Sequence, residues 1–203
     1  MTENLGKLVV SRETSDRLKA YAALLQKWNS RINLVSRNSL TDLWTRHFID
    51  SAQLFALADN PPHWVDIGSG GGFPGLVVAI LADEFNPAQK TTLIQSDKRK
   101  ATFLRTVIRE TGIACSVLAQ RIEQAEPLNA TLLSARALAD LPTLLDYADR
   151  HLTTDGTALF PKGTTWKKEV DAARGQWSFT LDAITSWTEP NAAILKIKGI
   201  KRV

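Results

Sequence analysis

Apolar residues recur with two different periods along this chain, and the change from one to the other divides it. Between residues 14 and 28, Leu18, Tyr21, Ala22, Leu25 and Trp28 fall at three- and four-residue intervals behind Thr14 and Ser15, which predicts an amphipathic helix with a candidate N-cap. A connector from Arg31 to Ser36 leads to a second helical pattern over residues 38–57, carried by Leu40, Leu43, Trp44, His47, Leu54 and Phe55. The two helices are expected to pack together.

From Trp64 onward short apolar runs alternate with helical stretches. Strands are predicted at Trp64 to Ile67, Thr91 to Gln95, Cys115 to Ala119, Thr131 to Ser134 and Thr157 to Phe160. Between them lie helices at Leu76 to Leu81, 97–111, 140–151 and 164–174, with 121–126 as a loop. In the 97–111 helix Phe103, Leu104, Val107 and Ile108 face inward, Lys98, Arg105 and Arg109 face outward, and Gly112 ends it. Ser178 to Trp187 and Ala193 to Lys198 form a closing pair across Glu189-Pro190-Asn191. Alternation of strands and helices implies parallel βαβ units, and the last pair an antiparallel hairpin at one edge. The expected fold is α/β, a Rossmann-like doubly wound sheet closed by an antiparallel hairpin. Residues 1–60 would be a helical extension packed on a core of residues 61–203.

The stretch Asp66-Ile67-Gly68-Ser69-Gly70-Gly71-Gly72-Phe73-Pro74-Gly75 interrupts this pattern where a buried strand should pass into a helix. Glycine lets the main chain take positive φ and approach a ligand closely at Gly68, Gly70 and Gly72. Pro74 suits the first turn of the following helix, whose free N–H groups would face whatever occupies the turn. In doubly wound sheets ligands bind at the carboxyl ends of the strands, where this turn lies. A tight connection without a ligand gives the same pattern. So does a dinucleotide site, although its usual Gly-x-Gly-x-x-Gly is more compact than the alternation here.

Composition narrows the setting. The 203 residues fit one domain with a small appendage, with no apolar run long enough to span a membrane and no secretion leader, so a cytoplasmic protein is expected. The single cysteine, Cys115, excludes an internal disulfide and a multi-cysteine metal site and is read as a small core residue. A net charge of +4 and a pI near 9.3 lean mildly toward an anionic partner. His47, near Asp50 and Ser51, reads as a hydrogen-bonded core histidine in preference to a catalytic base. Of the tryptophans, Trp28 and Trp44 have core spacing and Trp166 is placed facing the site.

Alternating glycines directly after an acid resemble the first motif of class I S-adenosylmethionine methyltransferases, and the closing hairpin is similar to theirs. Asn33-Leu34-Val35-Ser36, Arg46-His47-Phe48-Ile49-Asp50-Ser51, Asp66 through Gly75, Lys100 through Leu104 and Ser134-Ala135-Arg136-Ala137 occur together in order. In this the chain resembles the RsmG (GidB) family of bacterial 16S ribosomal RNA guanine-N7 methyltransferases, from about residue 20 to the C-terminus.

The resemblance implies S-adenosyl-L-methionine as cofactor, held by Asp66, Gly68, Ser69, Gly70, Gly72 and Phe73. The ribose would be met after the second core strand, where the family's usual acid is replaced by Gln95. A neutral amide loses roughly 1 kcal/mol of charge assistance. Asp97 is the alternative, though it is equally suited to capping the next helix. Ile122 and Glu123 correspond to the pair beside the adenine, and Arg136, also counted among the cofactor contacts, is the first choice for positioning substrate. Lys100, Arg136, Lys162 and Lys167 are candidate RNA contacts, with Lys98, Arg99, Lys168 and the basic tail from Lys196 to Arg202 as further ones. Guanine N7 offers an in-plane lone pair and loses no proton, so no obligatory base, metal or nucleophile is required. The implied partner is small-subunit ribosomal RNA, the 30S subunit or its precursor, and the protein is expected to act as a monomer. A methyltransferase with a small-molecule or protein acceptor, or a non-catalytic RNA-binding relative, is the alternative.

Overall fold

In a computed structural model, which describes residues 2–203, two sheets and two helical layers are present. A short hairpin, β1 (Thr2–Leu5) and β2 (Leu8–Ser11), precedes helix α1 (Arg12–Asn29). The sequence pattern does not predict it, because four-residue strands are too short to show a period. Its turn depends on Gly6 at φ +63°. Ser11 rather than Thr14 or Ser15 caps α1, accepting a hydrogen bond from the Thr14 N–H at 3.2 Å.

The second predicted helix is broken into α2 (Arg37–Leu40), a π-helical turn (Trp44–Ile49) and α3 (Asp50–Ala56). The interruption resets the helical face, which leaves Trp44 exposed against the ring of Phe48 instead of in the core, while His47 and Phe48 are buried.

The main sheet consists of β3 (His63–Ile67), β4 (Lys90–Ile94), β5 (Ser116–Leu118), β6 (Ala130–Ser134), β7 (Leu152–Lys162), β8 (Trp177–Thr185) and β9 (Ala193–Arg202). Their order is β5-β4-β3-β6-β7-β9-β8, with β9 antiparallel to both neighbours and the rest parallel. Strand order reverses between β3 and β6, so the carboxyl end of β3 stands at the switch point.

Alternation along the strands feeds two cores. Val65, Ile94, Leu133 and Phe160 pack under α6 (Leu141–His151) and α7 (Trp166–Arg174). On the other face Trp64, Leu132 and Leu159 meet α3, and Leu93 joins a core built by α1, α4 (Gly75–Phe85) and α5 (Lys98–Thr111). Residues 2–56 therefore share this core with α4 and α5. The all-round apolar run of α4 reflects burial on every side, and Gly112 ends α5 in the left-handed conformation at φ +69°.

Tyr21 of α1 is the deepest contact between the N-terminal layer and the glycine turn. It is wholly buried, stacks on Phe73 at 5.2 Å and donates its hydroxyl to the Gly71 carbonyl. We expect Tyr21→Phe to lower stability by about 1 kcal/mol in urea denaturation, since a buried carbonyl loses its partner while packing is retained. An unchanged unfolding midpoint would count against this anchoring role.

Candidate active site

Backbone geometry makes the glycine turn. Gly68, Gly70 and Gly72 lie at φ +64°, +55° and +95°, a region that side chains disfavour. The Ser69 N–H donates to the Ile94 carbonyl at 3.2 Å, tying the turn to β4, while the Gly72 and Phe73 N–H groups close on the Ser69 carbonyl at 2.7 and 3.2 Å. A Cβ at Gly72 would come within 2.6 Å of the Tyr21 hydroxyl, and one at Gly75 within 2.8 Å of Asp66 Oδ2. At Gly70 it would meet only the Gly68 carbonyl, at 3.7 Å. That face of the turn opens on a cavity of about 930 Å³.

Asp66 stands behind the turn, fully buried. It neighbours Ser134 in the β3–β6 ladder and accepts the Ser134 hydroxyl at 2.8 Å; Ser134 in turn accepts the Trp64 indole N–H at 2.9 Å. Burial pushes the Asp66 carboxyl up to about 6, against the pull of Ser69, Ser134 and the Gly75 N–H. Gly75 at the head of α4 lies against this carboxyl group, and no residue of the helix's first turn lines the cavity, a difference from the sequence expectation.

The cavity is walled by the carboxyl ends of β3, β4, β5 and β6, by the N-terminal layer and by the β8–β9 connection. Asn29 Oδ1 accepts the Leu34 and Val35 N–H groups, each at 2.9 Å, which sets this loop against Gly71 and into the wall. Gln95 lies in the wall and is nearly buried, its Oε1 accepting the Asp97 N–H at 2.9 Å. Asp97 stands outside the wall and caps α5, accepting the Arg99 and Lys100 N–H groups at 2.8 and 3.2 Å, which hold its carboxyl below the ordinary range. Ile122 and Glu123 reach the cavity from a 3-10 turn, Ile122–Gln124; Glu123 accepts the Tyr147 hydroxyl at 2.7 Å, which lowers its own titration and pushes Tyr147 up to about 12.

Arg136 projects beyond β6 into the cavity wall. One guanidinium nitrogen donates to the Arg46 carbonyl at 2.9 Å and to Asp50 at 3.3 Å, the other to His47 Nδ1 at 2.6 Å, and the group lies over the Phe73 ring at 5.2 Å. A guanidinium only donates, so His47 Nδ1 must be unprotonated. Burial, with Arg136 and Arg46 beside it, holds the imidazole down at about 3. His47 is thus a neutral acceptor that orients Arg136, in agreement with its reading as a hydrogen-bonded core residue. Asp50 also accepts from Gln53 at 2.8 Å and Thr188 at 3.0 Å, which links Arg136 to the β8–β9 connection.

The model of the rRNA small subunit methyltransferase G (GidB) family matches residues 14–195. The chain belongs to this family. Over 203 residues it is 58% identical to the ribosomal RNA small subunit methyltransferase G of Ruegeria pomeroyi, covering all of both chains. It is 49% identical to that of Cereibacter sphaeroides, covering 98% of this chain and 97% of the relative. Among solved structures, an O-methyltransferase from Bacillus cereus in complex with SAH aligns at a TM-score of 0.56 with 12% identity, covering 93% of this chain and 91% of that one. That likeness is one of fold, the class I methyltransferase architecture already visible in the strand order.

Within this family member the basic candidates divide. Lys100 lines the cavity and makes no ion pair among the described residues. Lys162 is nearly buried, its ammonium held by the Ala139 carbonyl at 2.8 Å and Glu169 at 2.7 Å, in place of the open phosphate contact expected. Lys167 lies over Trp166 at 5.5 Å, and Trp166 packs on the core instead of lining the cavity. Sequence reasoning missed Tyr21, Asn29, Asp50 and Thr188 as supports of the site. Of these only Asp50 carried a signal, its place in the Arg46–Ser51 phrase. Among the described residues no group of three or more His, Cys, Asp or Glu could hold a metal, and no helix is long and apolar enough to cross a membrane.

Because its folded-state value is raised from 3.8 to about 6, Asp66 contributes stability while protonated and loses it as pH climbs through that interval. Relative to wild type, Asp66→Asn should therefore gain about 1–2 kcal/mol of stability between about pH 5 and about pH 7.5. Denaturation curves whose difference does not change with pH would contradict the buried carboxyl's titration.

Proposed function

We propose that this protein transfers a methyl group from S-adenosyl-L-methionine to N7 of a guanine in small-subunit ribosomal RNA. The observation that carries the reading is the full-length identity of 58% to a relative named for small-subunit ribosomal RNA methylation. The open face of Gly70 onto a cavity that ends at Arg136 supports it.

Gly68, Ser69, Gly70 and Phe73 would take the methionine end of the cofactor, with Asp66 and Gly72 acting from behind to hold the turn. Gln95 is the better candidate for the ribose than Asp97, since it lines the cavity and Asp97 does not. With Gln95 Oε1 already accepting from Asp97, the Nε2 amino group is what it offers a ribose oxygen. Ile122 and Glu123 flank the place left for the adenine.

When bound, S-adenosylmethionine supplies a methyl group on a sulfonium: the N7 lone pair takes the carbon, the C–S electron pair returns to sulfur, and the positive charge passes to the purine. The protein's part is positioning and electrostatics. Arg136, fixed by His47, Arg46 and Asp50, sets the acceptor end of the cavity. Neutral His47 has its lone pair engaged, which suits a reaction that releases no proton from N7. Lys100 and the exposed Arg46 stand in the cavity wall as phosphate contacts. We place the reaction in the cytoplasm, with a monomer acting on 30S subunits, their precursor or free RNA.

Ribosomal RNA from a strain lacking this protein is expected to lose one N7-methylguanine; an unchanged modification pattern would refute the proposal. Gly70→Val should reduce cofactor affinity at least tenfold by calorimetry, because the side chain enters the open face. The positive φ adds about 1–2 kcal/mol of strain. Retained affinity in the folded variant would displace the cofactor from this turn.

A further inference from the structure

A second cavity, of about 410 Å³, adjoins the first at the carboxyl edge of the sheet. Its walls come from the segment after β6, the end of β7 at Lys162 and Gly163, and the β8–β9 connection. The two cavities meet along Asp50, Arg136, Ala137 and Glu189. A group seated in the smaller one therefore borders the acceptor end of the larger.

Five charged side chains line the smaller cavity, and four of them neutralise one another. Arg136 pairs with Asp50 at 3.3 Å and Lys162 with Glu169 at 2.7 Å. The fifth, Glu189, is exposed and makes no ion pair among the described residues; its carboxylate accepts only the Asn191 N–H, at 3.3 Å. An unpaired carboxylate at the mouth of an RNA site repels phosphate and only accepts hydrogen bonds, so the groups it suits there are hydrogen-bond donors.

Guanine alone among the RNA bases presents two adjacent donors, N1–H and the N2 amino group, on its Watson–Crick edge, a match for the two oxygens of a carboxylate. Adenine and cytosine place a lone pair beside their amino group, and uracil flanks its single N–H with carbonyls. Each of these sets a lone pair against the anion. Gripping that edge also leaves N7, on the imidazole side of the purine, free to turn toward the larger cavity. As N7 gains the methyl group the purine becomes cationic and its N1–H more acidic. A carboxylate contact therefore strengthens along the reaction, which is the condition for accelerating it.

We infer that the smaller cavity receives the unstacked guanine and that Glu189 reads its N1–H and N2 amino donors, an assignment that rests on the RNA methylation reading above. The test uses the full-length protein, small subunits from a strain lacking it, and RNA carrying inosine, which lacks the N2 amino group, at the methylated position once mapped. For Glu189→Gln, kcat/KM on guanine is expected to fall about tenfold to a hundredfold, with cofactor affinity and melting temperature unchanged. Glu189→Asp should recover part of the loss. Inosine should slow the wild type about tenfold yet cost Glu189→Gln little more, because the contact is already gone. Wild-type turnover in Glu189→Gln, or an inosine penalty that persists undiminished in that variant, overturns the assignment. A wild-type protein that binds cofactor but methylates no RNA overturns both the assignment and the function beneath it.

Discussion

The glycine turn is held by steric exclusion on two sides. Below it the Asp66 carboxyl group occupies the space a Cβ at Gly75 would need, and above it the Tyr21 hydroxyl does the same at Gly72. Leu34 closes the third side, with its carbonyl 3.1 Å from where a Cβ of Gly71 would lie. The turn is therefore shaped by the N-terminal layer as much as by the sheet. That explains why Tyr21, far from the cavity in sequence, belongs to a cluster with Phe48, Phe73 and Phe103. Gly70, the one position left open, faces the cavity.

Arg136 extends the same logic to the acceptor end. Three contacts from the π-helical turn and the start of α3 hold a cation that a sheet strand delivers. The π-helical turn sets the Arg46 carbonyl, the His47 ring and the Asp50 carboxylate toward one guanidinium, a use of irregular helix met at functional sites. Charge balance is local: Asp50 offsets Arg136, Glu169 offsets Lys162, and the wall between the cavities carries little net field apart from Glu189.

Much of the fold was legible because the sheet residues obey a period of two and the core helices a period near four. Trp64 and Val65, or Leu132 and Leu133, point to opposite cores as the alternation requires. Where the chain departs from a regular period, reading failed. The break after Leu40 moved Trp44 to the surface, and the four-residue strands of the N-terminal hairpin left no pattern to see. The glycine turn and Arg136 stood out through residue type and neighbouring phrases. The supports Tyr21 and Thr188 did not, since their importance lies in contacts across 50 and 138 residues that no local spacing encodes, and Asn29 acts through a side-chain-to-backbone contact five residues on that no hydrophobic period marks.

The tie between Asp50 and Thr188 also bears on how the molecule comes into being. Strand β9 lies between β7 and β8, so β8 joins the sheet only after β9 has left the ribosome. A nascent chain that has emerged only through β7 already contains the glycine turn, Tyr21 and every strand beneath the larger cavity. It lacks the segment that meets Asp50 and Gln53 and walls the smaller one. Contacts so distant in sequence form late, because a long loop must close before they repay its entropy. Synthesis order thus delivers the strands beneath the cofactor side before the segment that walls the acceptor side, and with it the buried Leu195 and Ile197 that complete the core.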